Sequence, residues 1–68
     1  KSLYKKLGNH IKKIRKEKGL TQDDVGFNGI SRQMISHLEL AISDTTVTKL
    51  KALADNLEVK VKDLFNFE

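Results

Sequence analysis

Ser31, Arg32 and Gln33 stand in a row, and Ser36 and His37 follow one helical turn later. Five hydrogen-bonding side chains therefore fall within a short stretch. On a 3.6-residue period Ile30, Ile35 and Leu38 turn to one side, and Arg32, Gln33, Ser36 and His37 to the other. Ser31 has the hydroxyl to cap such a helix, which sets the helix's positive end beside the polar residues. The chemistry on offer is multidentate hydrogen bonding to an anionic partner. An arginine fork fits the O6/N7 edge of guanine and a glutamine amide the N6/N7 edge of adenine, each good pair discriminating by about 1–3 kcal/mol. A solvated helix face has the same composition, because exposed faces are charged or amide-rich for solubility. The rest of the chain has to decide between the two.

The elements that must position these side chains read as helices throughout. Leu3, Leu7, Ile11 and Ile14 make one apolar stripe on a first helix ending at Lys18, with Gly19 as its left-handed cap. Thr21 caps a second helix, Asp24 stands in the place of a capping-box acid, and Val25 faces inward. Gly29 marks the turn into the third helix, about Ser31 to Glu39. Leu40 to Asp44 form a loop, after which Asp44, Thr45 or Thr46 caps a fourth helix carrying Val47, Leu50, Leu53, Ala54 and Leu57. A short fifth helix with Val61, Leu64 and Phe65 closes the bundle, Lys60 replacing a good cap and Phe67 lying at the frayed end. The apolar positions make one core rather than a ligand pocket.

With 68 residues the chain is one domain, 1–68, with a core that must be used economically. It has no cysteine, so a disulfide framework and thiolate zinc sites are excluded, and no apolar run is long enough to span a membrane. This composition predicts a cytoplasmic protein. The chain opens on Lys rather than Met and shows no targeting segment, which suits a piece of a longer protein. Its net charge of +4 is unevenly spread: Lys1 to Gly19 carry eight Lys or Arg against the single acid Glu17. A basic first helix beside a polar edge suits a polyanion, since neutralising phosphates releases condensed counterions. Lysine-rich helices also serve solubility alone.

Catalysis fits poorly. No nucleophile or acid–base pair is set for a pocket, and His10 and His37 are far apart without metal-ligand spacing, so neither a cofactor nor a metal is expected. His37 is read as a base or phosphate contact.

Three blocks stand in order: LGNHIKKIRKEKGLTQ from Leu7 to Gln22, ISRQMISHLE from Ile30 to Glu39, and LKALADNLEVKVKDLF from Leu50 to Phe65. In sequence and spacing they resemble the Cro/CI-type, or XRE-like, helix-turn-helix domains of phage and bacterial repressors, over nearly the whole chain. The resemblance implies an all-α, five-helix bundle of the lambda-repressor-like type, with the second and third helices forming the helix-turn-helix. It implies sequence-specific binding of double-stranded DNA by a transcriptional regulator, a repressor, as a homodimer on a near-palindromic operator. A C-terminal sensor domain in the full-length protein would go with it. Carried over by position, Gln22 would touch a phosphate, Arg32, Gln33, Ser36 and His37 would face the major groove, and Ser31 would cap and touch the backbone. Arg15 and Glu39 would form a structural ion pair that sets the docking angle. Thr45 and Lys49 match positions that contact phosphates, although both also suit solvent.

Two features depart from the family. VGFNGIS is one residue shorter between the two helices, as in longer peptide-sensing regulators with tetratricopeptide repeats, which leaves the orientation of Phe27 open. Leu40-Ala41 replaces the usual Asn-Gly after the Glu, which predicts a longer recognition helix. Leu40 and Ile42 suit either a dimer or partner contact or the core. The alternative reading is a protein-interaction domain that presents Leu40, Ile42 and Phe67 and has lost DNA binding; RNA binding is a third.

Overall fold

The first helix ends as its sequence asks. Gly19 adopts φ 71°, the Gly19 N–H donates to the Lys16 carbonyl, and the Leu20 N–H reaches back to Arg15. This paired pattern answers carbonyls that the helix end would leave open. The computed structural model describes residues 2–41 and 45–67. Within them lie α1 (Ser2–Glu17), α2 (Arg32–Glu39), α3 (Val47–Leu57) and α4 (Val61–Leu64), and no strand. α1 packs against α2 and α4, and α3 against α4.

The core is one cluster drawn from every part of the chain. Leu7 and Ile11 come from α1, Val25 and Ile30 from the segment before α2, and Ile35 and Leu38 from α2. Leu50, Leu53, Ala54 and Leu57 come from α3, and Leu64 from α4. Each fully buried Leu or Ile contributes roughly 1.5–3 kcal/mol, so these few side chains carry a small fold.

Among the described residues four helices stand where five were expected. The helix predicted from Thr21 is a hydrogen-bonded turn, although its capping box is in place: the Thr21 N–H donates to Asp24 Oδ2 at 2.8 Å and the Asp24 N–H to Thr21 Oγ1 at 3.1 Å. Its backbone bonds span three residues, from Asp24 to Thr21 and from Gly26 to Asp23, instead of four. So short a run cannot repay helix nucleation before Gly26 ends it. Gly26 is also held by its neighbours, since a Cβ there would stand 3.0 Å from the Arg32 nitrogen.

The shortened connection is completed by a tight turn. Asn28 and Gly29 take φ of 60° and 83°, and the Ile30 N–H closes onto the Phe27 carbonyl at 3.1 Å. Two successive left-handed residues favour Asn-Gly, the pair found here. Phe27 is thrown outward, 54% exposed.

Several apolar expectations are corrected by end effects. Leu3, Val47 and Phe65 sit at helix ends, where no neighbouring element covers them, and all three are exposed. α1 ends at Glu17 rather than Lys18. The third helix expected from the sequence does not run on: α2 ends at Glu39, and Ala41 takes φ 58°, doing in alanine what a glycine would do. Thr46 is the cap of α3, its hydroxyl accepting the Lys49 N–H at 3.2 Å. Asp63, the third residue of α4, reaches back to the Lys60 N–H at 3.0 Å, so the start of α4 is tied without a capping side chain at Lys60. Phe67 packs on the core and lies 5.8 Å from the His10 ring. Ile42 and Asp44 lie outside the described residues.

Candidate nucleic-acid interface

α2 is an eight-residue helix with two unlike faces. Ile35 and Leu38 are buried, whereas Arg32 and Gln33 are exposed and Ser36 and His37 half-buried. Ser31, in extended backbone, accepts the Met34 N–H at 3.1 Å, and no acidic residue stands in the helix's first turn. The positive end of α2 is therefore capped by a neutral hydroxyl and uncompensated within its own first turn.

Gln22, Ser31, Arg32, Gln33 and Ser36 line one open concavity of about 520 Å³. The structure thus gathers five of the sequence-predicted residues on one surface. His37, one turn after Gln33, is outside that lining. Thr45 and Lys49 sit apart at the start of α3, both half-buried. Thr45 precedes the cap and Lys49 is in the first turn, which likewise holds no acid.

The orientation of α2 is fixed from behind. Arg15 Nε donates to Glu39 Oε2 at 2.7 Å and Arg15 Nη2 to Glu39 Oε1 at 3.1 Å, while Nη1 donates to the Leu20 carbonyl at 2.8 Å. Both residues of the pair are buried. The Glu39 hydrogen bonds raise the pKa of Arg15 against the opposing pull of burial. Gln22 Nε2 also donates to Glu39 Oε1, at 3.2 Å. One carboxylate therefore gathers α1, the turn and the end of α2. On the outer side, Arg32 Nε lies 3.4 Å from Asp23 Oδ1.

Two scaffold residues escaped the sequence reading. A Cβ at Gly8 would overlap the Leu38 carbonyl oxygen, so α1 lies directly on the end of α2. The available signal was a glycine next to Leu7 in an otherwise good helix. Asn56 is buried, and its Nδ2 donates to the Val25 carbonyl at 2.9 Å and the Phe27 carbonyl at 2.7 Å. It braces the connection before α2 from α3. The signal there was an amide between Leu53 and Leu57 on an inward face. Asp23 was also passed over, because nothing in the sequence pairs it with Arg32.

Among the described residues no three His, Cys, Asp or Glu side chains come together to hold a metal, and no helix is long and apolar enough to cross a membrane. His10 is half-buried, its Nε2 within 2.9 Å of the Asp63 carbonyl.

A helix-turn-helix family model matches residues 11–64. The chain is 39% identical over 63 residues, 91% of its own length and 82% of the relative's, to an uncharacterized HTH-type transcriptional regulator, y4dJ, of Sinorhizobium fredii (strain NBRC 101917 / NGR234). No solved structure matches the chain.

Proposed function

The chain belongs to the Cro/CI-type helix-turn-helix family, and we propose that it is the sequence-specific DNA-binding domain of a prokaryotic or phage transcriptional regulator. It acts by occupying an operator, as a repressor in the cytoplasm, and carries out no chemistry of its own.

The observation that carries this reading is the outward edge of α2: Arg32 and Gln33 exposed at a capped, acid-free helix start, with Ser36 on the same concavity. That edge fits the major groove. Arg32 and Gln33 read bases, Ser36 and His37 extend the contact, and Ser31 and Gln22 meet the backbone. Thr45 and Lys49 take a phosphate at the start of α3. The Arg15–Glu39 pair sets the angle at which the edge enters. A homodimer places two such helices about 34 Å apart, one turn of duplex, so the preferred site is a near-palindrome.

Selection of bound duplexes from a random pool tests this. The expected outcome is a palindromic consensus whose affinity falls steeply with salt. Arg32→Ala relaxes preference at one base pair, whereas Lys49→Ala weakens all duplexes alike and flattens the salt slope. Equal effects of the two substitutions overturn the role assignment, and failure to retain any duplex at low salt overturns the function.

The exposure of Leu40, 64%, favours one second reading, a protein-interaction domain of the same fold. Such a domain shows neither salt dependence nor duplex preference.

A further inference from the structure

Asp23 sets a carboxylate on the surface proposed to meet an anionic duplex. It lies in the turn that follows Gln22, and its Oδ1 is 3.4 Å from Arg32 Nε, with the two side chains 78% and 68% exposed. Asp23, Arg32 and Gln22 line one open concavity of about 640 Å³. A carboxylate here opposes phosphate binding and, as an exposed ion pair, contributes little to stability.

The atom that Asp23 engages suggests what it does. Guanine is read by two parallel N–H donors of a guanidinium. A contact at Nε leaves the hydrogens of both terminal nitrogens uncommitted by that contact. It also restrains a long side chain that is otherwise free to swing toward any nearby phosphate. We infer that Asp23 is a specificity-determining positioning residue, which holds Arg32 as a fork for a guanine edge and keeps its charge away from the sugar–phosphate backbone. This rests on the DNA-reading function proposed above.

Holding and repelling have consequences of opposite sign. Removing the charge in Asp23→Asn strengthens binding to duplexes that lack the guanine and weakens the choice among duplexes. A surface ion pair without a role tightens all duplexes alike and leaves the choice unchanged, and a pair needed only for folding weakens both.

The test uses the whole chain with two labelled duplexes, one of random sequence and one carrying the selected site, plus variants of that site at the base pair whose preference Arg32→Ala relaxes. Asp55→Asn is the control for net charge, since Asp55 pairs with Lys51 within α3, at 2.9 Å. Asp23→Asn is expected to tighten random-duplex binding roughly threefold at low salt, an effect that fades as salt screens it. Preference for guanine at the Arg32 pair falls roughly two- to fivefold, a part of what a full bidentate contact supplies. In an Arg32→Ala background, Asp23→Asn leaves base preference unchanged. Unaltered preference in Asp23→Asn, or equal behaviour of Asp23→Asn and Asp55→Asn, overturns this inference alone. Wild-type protein that binds no duplex overturns it together with the proposed function.

Discussion

Arg15 and Glu39 meet through two hydrogen bonds, of 2.7 and 3.1 Å, between the last turn of α1 and the last residue of α2. The pair is buried, so deleting one partner leaves the other a buried charge without its counter-ion. Such a loss costs about 3–5 kcal/mol, against a total of about 3–10 kcal/mol for a domain of this size. Arg15→Ala is expected to remove most of the stability seen in urea denaturation. Replacing both residues with apolar ones of similar volume recovers a large part of it. A loss under about 1 kcal/mol for Arg15→Ala would mean that water screens the pair.

Gly8→Ala replaces a poor helix former with the best one, which alone is worth about 1 kcal/mol in favour of the variant. The added methyl nevertheless overlaps the Leu38 carbonyl and approaches the Glu39 oxygen to 3.0 Å, and both neighbours are backbone. The collision should outweigh the propensity and give a net destabilisation of about 1–3 kcal/mol, because α1 must lift from α2. An unchanged or higher thermal midpoint would show that the two helices separate at no cost.

At position 41 the opposite outcome is expected. Ala41 holds φ 58°, which costs an L-residue roughly 1–2 kcal/mol, partly offset in Ala41→Gly by the freedom glycine gains when unfolded. A net gain of roughly 0.5–1 kcal/mol should raise the melting temperature by about 3–6 °C. A lower melting temperature would refute this assignment of the backbone.

Asp24 makes acid sensitivity specific. Its hydrogen bonds from the Thr21 N–H and hydroxyl hold its pKa below the ordinary value of 3.8. Because the folded pKa is the lower one, the stabilisation is complete above 3.8 and disappears as pH falls through the folded value. Asp24→Asn should therefore melt below wild type at neutral pH, the gap closing in acid as the wild-type carboxyl takes up its proton. A gap that persists unchanged into strong acid would separate the carboxylate from the turn.

What could be read in advance followed local rules. Ser31 and Gly19 are capping residues whose work depends on the next few positions, and Ile35, Leu38, Leu53 and Leu57 repeat at helical spacing, so each was legible. The capping box at Thr21 was legible too, yet it predicted a helix where five residues before Gly26 support only a turn. Leu3, Val47 and Phe65 carry the right period and miss the core because periodicity does not say where a neighbouring element stops. Gly8, Asn56 and Asp23 act on residues about 9 to 31 positions away, and no local pattern encodes such a partner.

The division of α2 into a sealed side and an open side has an evolutionary consequence. Arg32 and Gln33 are exposed and outside the packed core, so on the proposed function they answer to the target, whereas Ile35, Leu38 and Glu39 are buried and answer to the bundle. Descendants of this chain can thus exchange one set of letters while the other stays put, and acquire a new address without having to reinvent a fold.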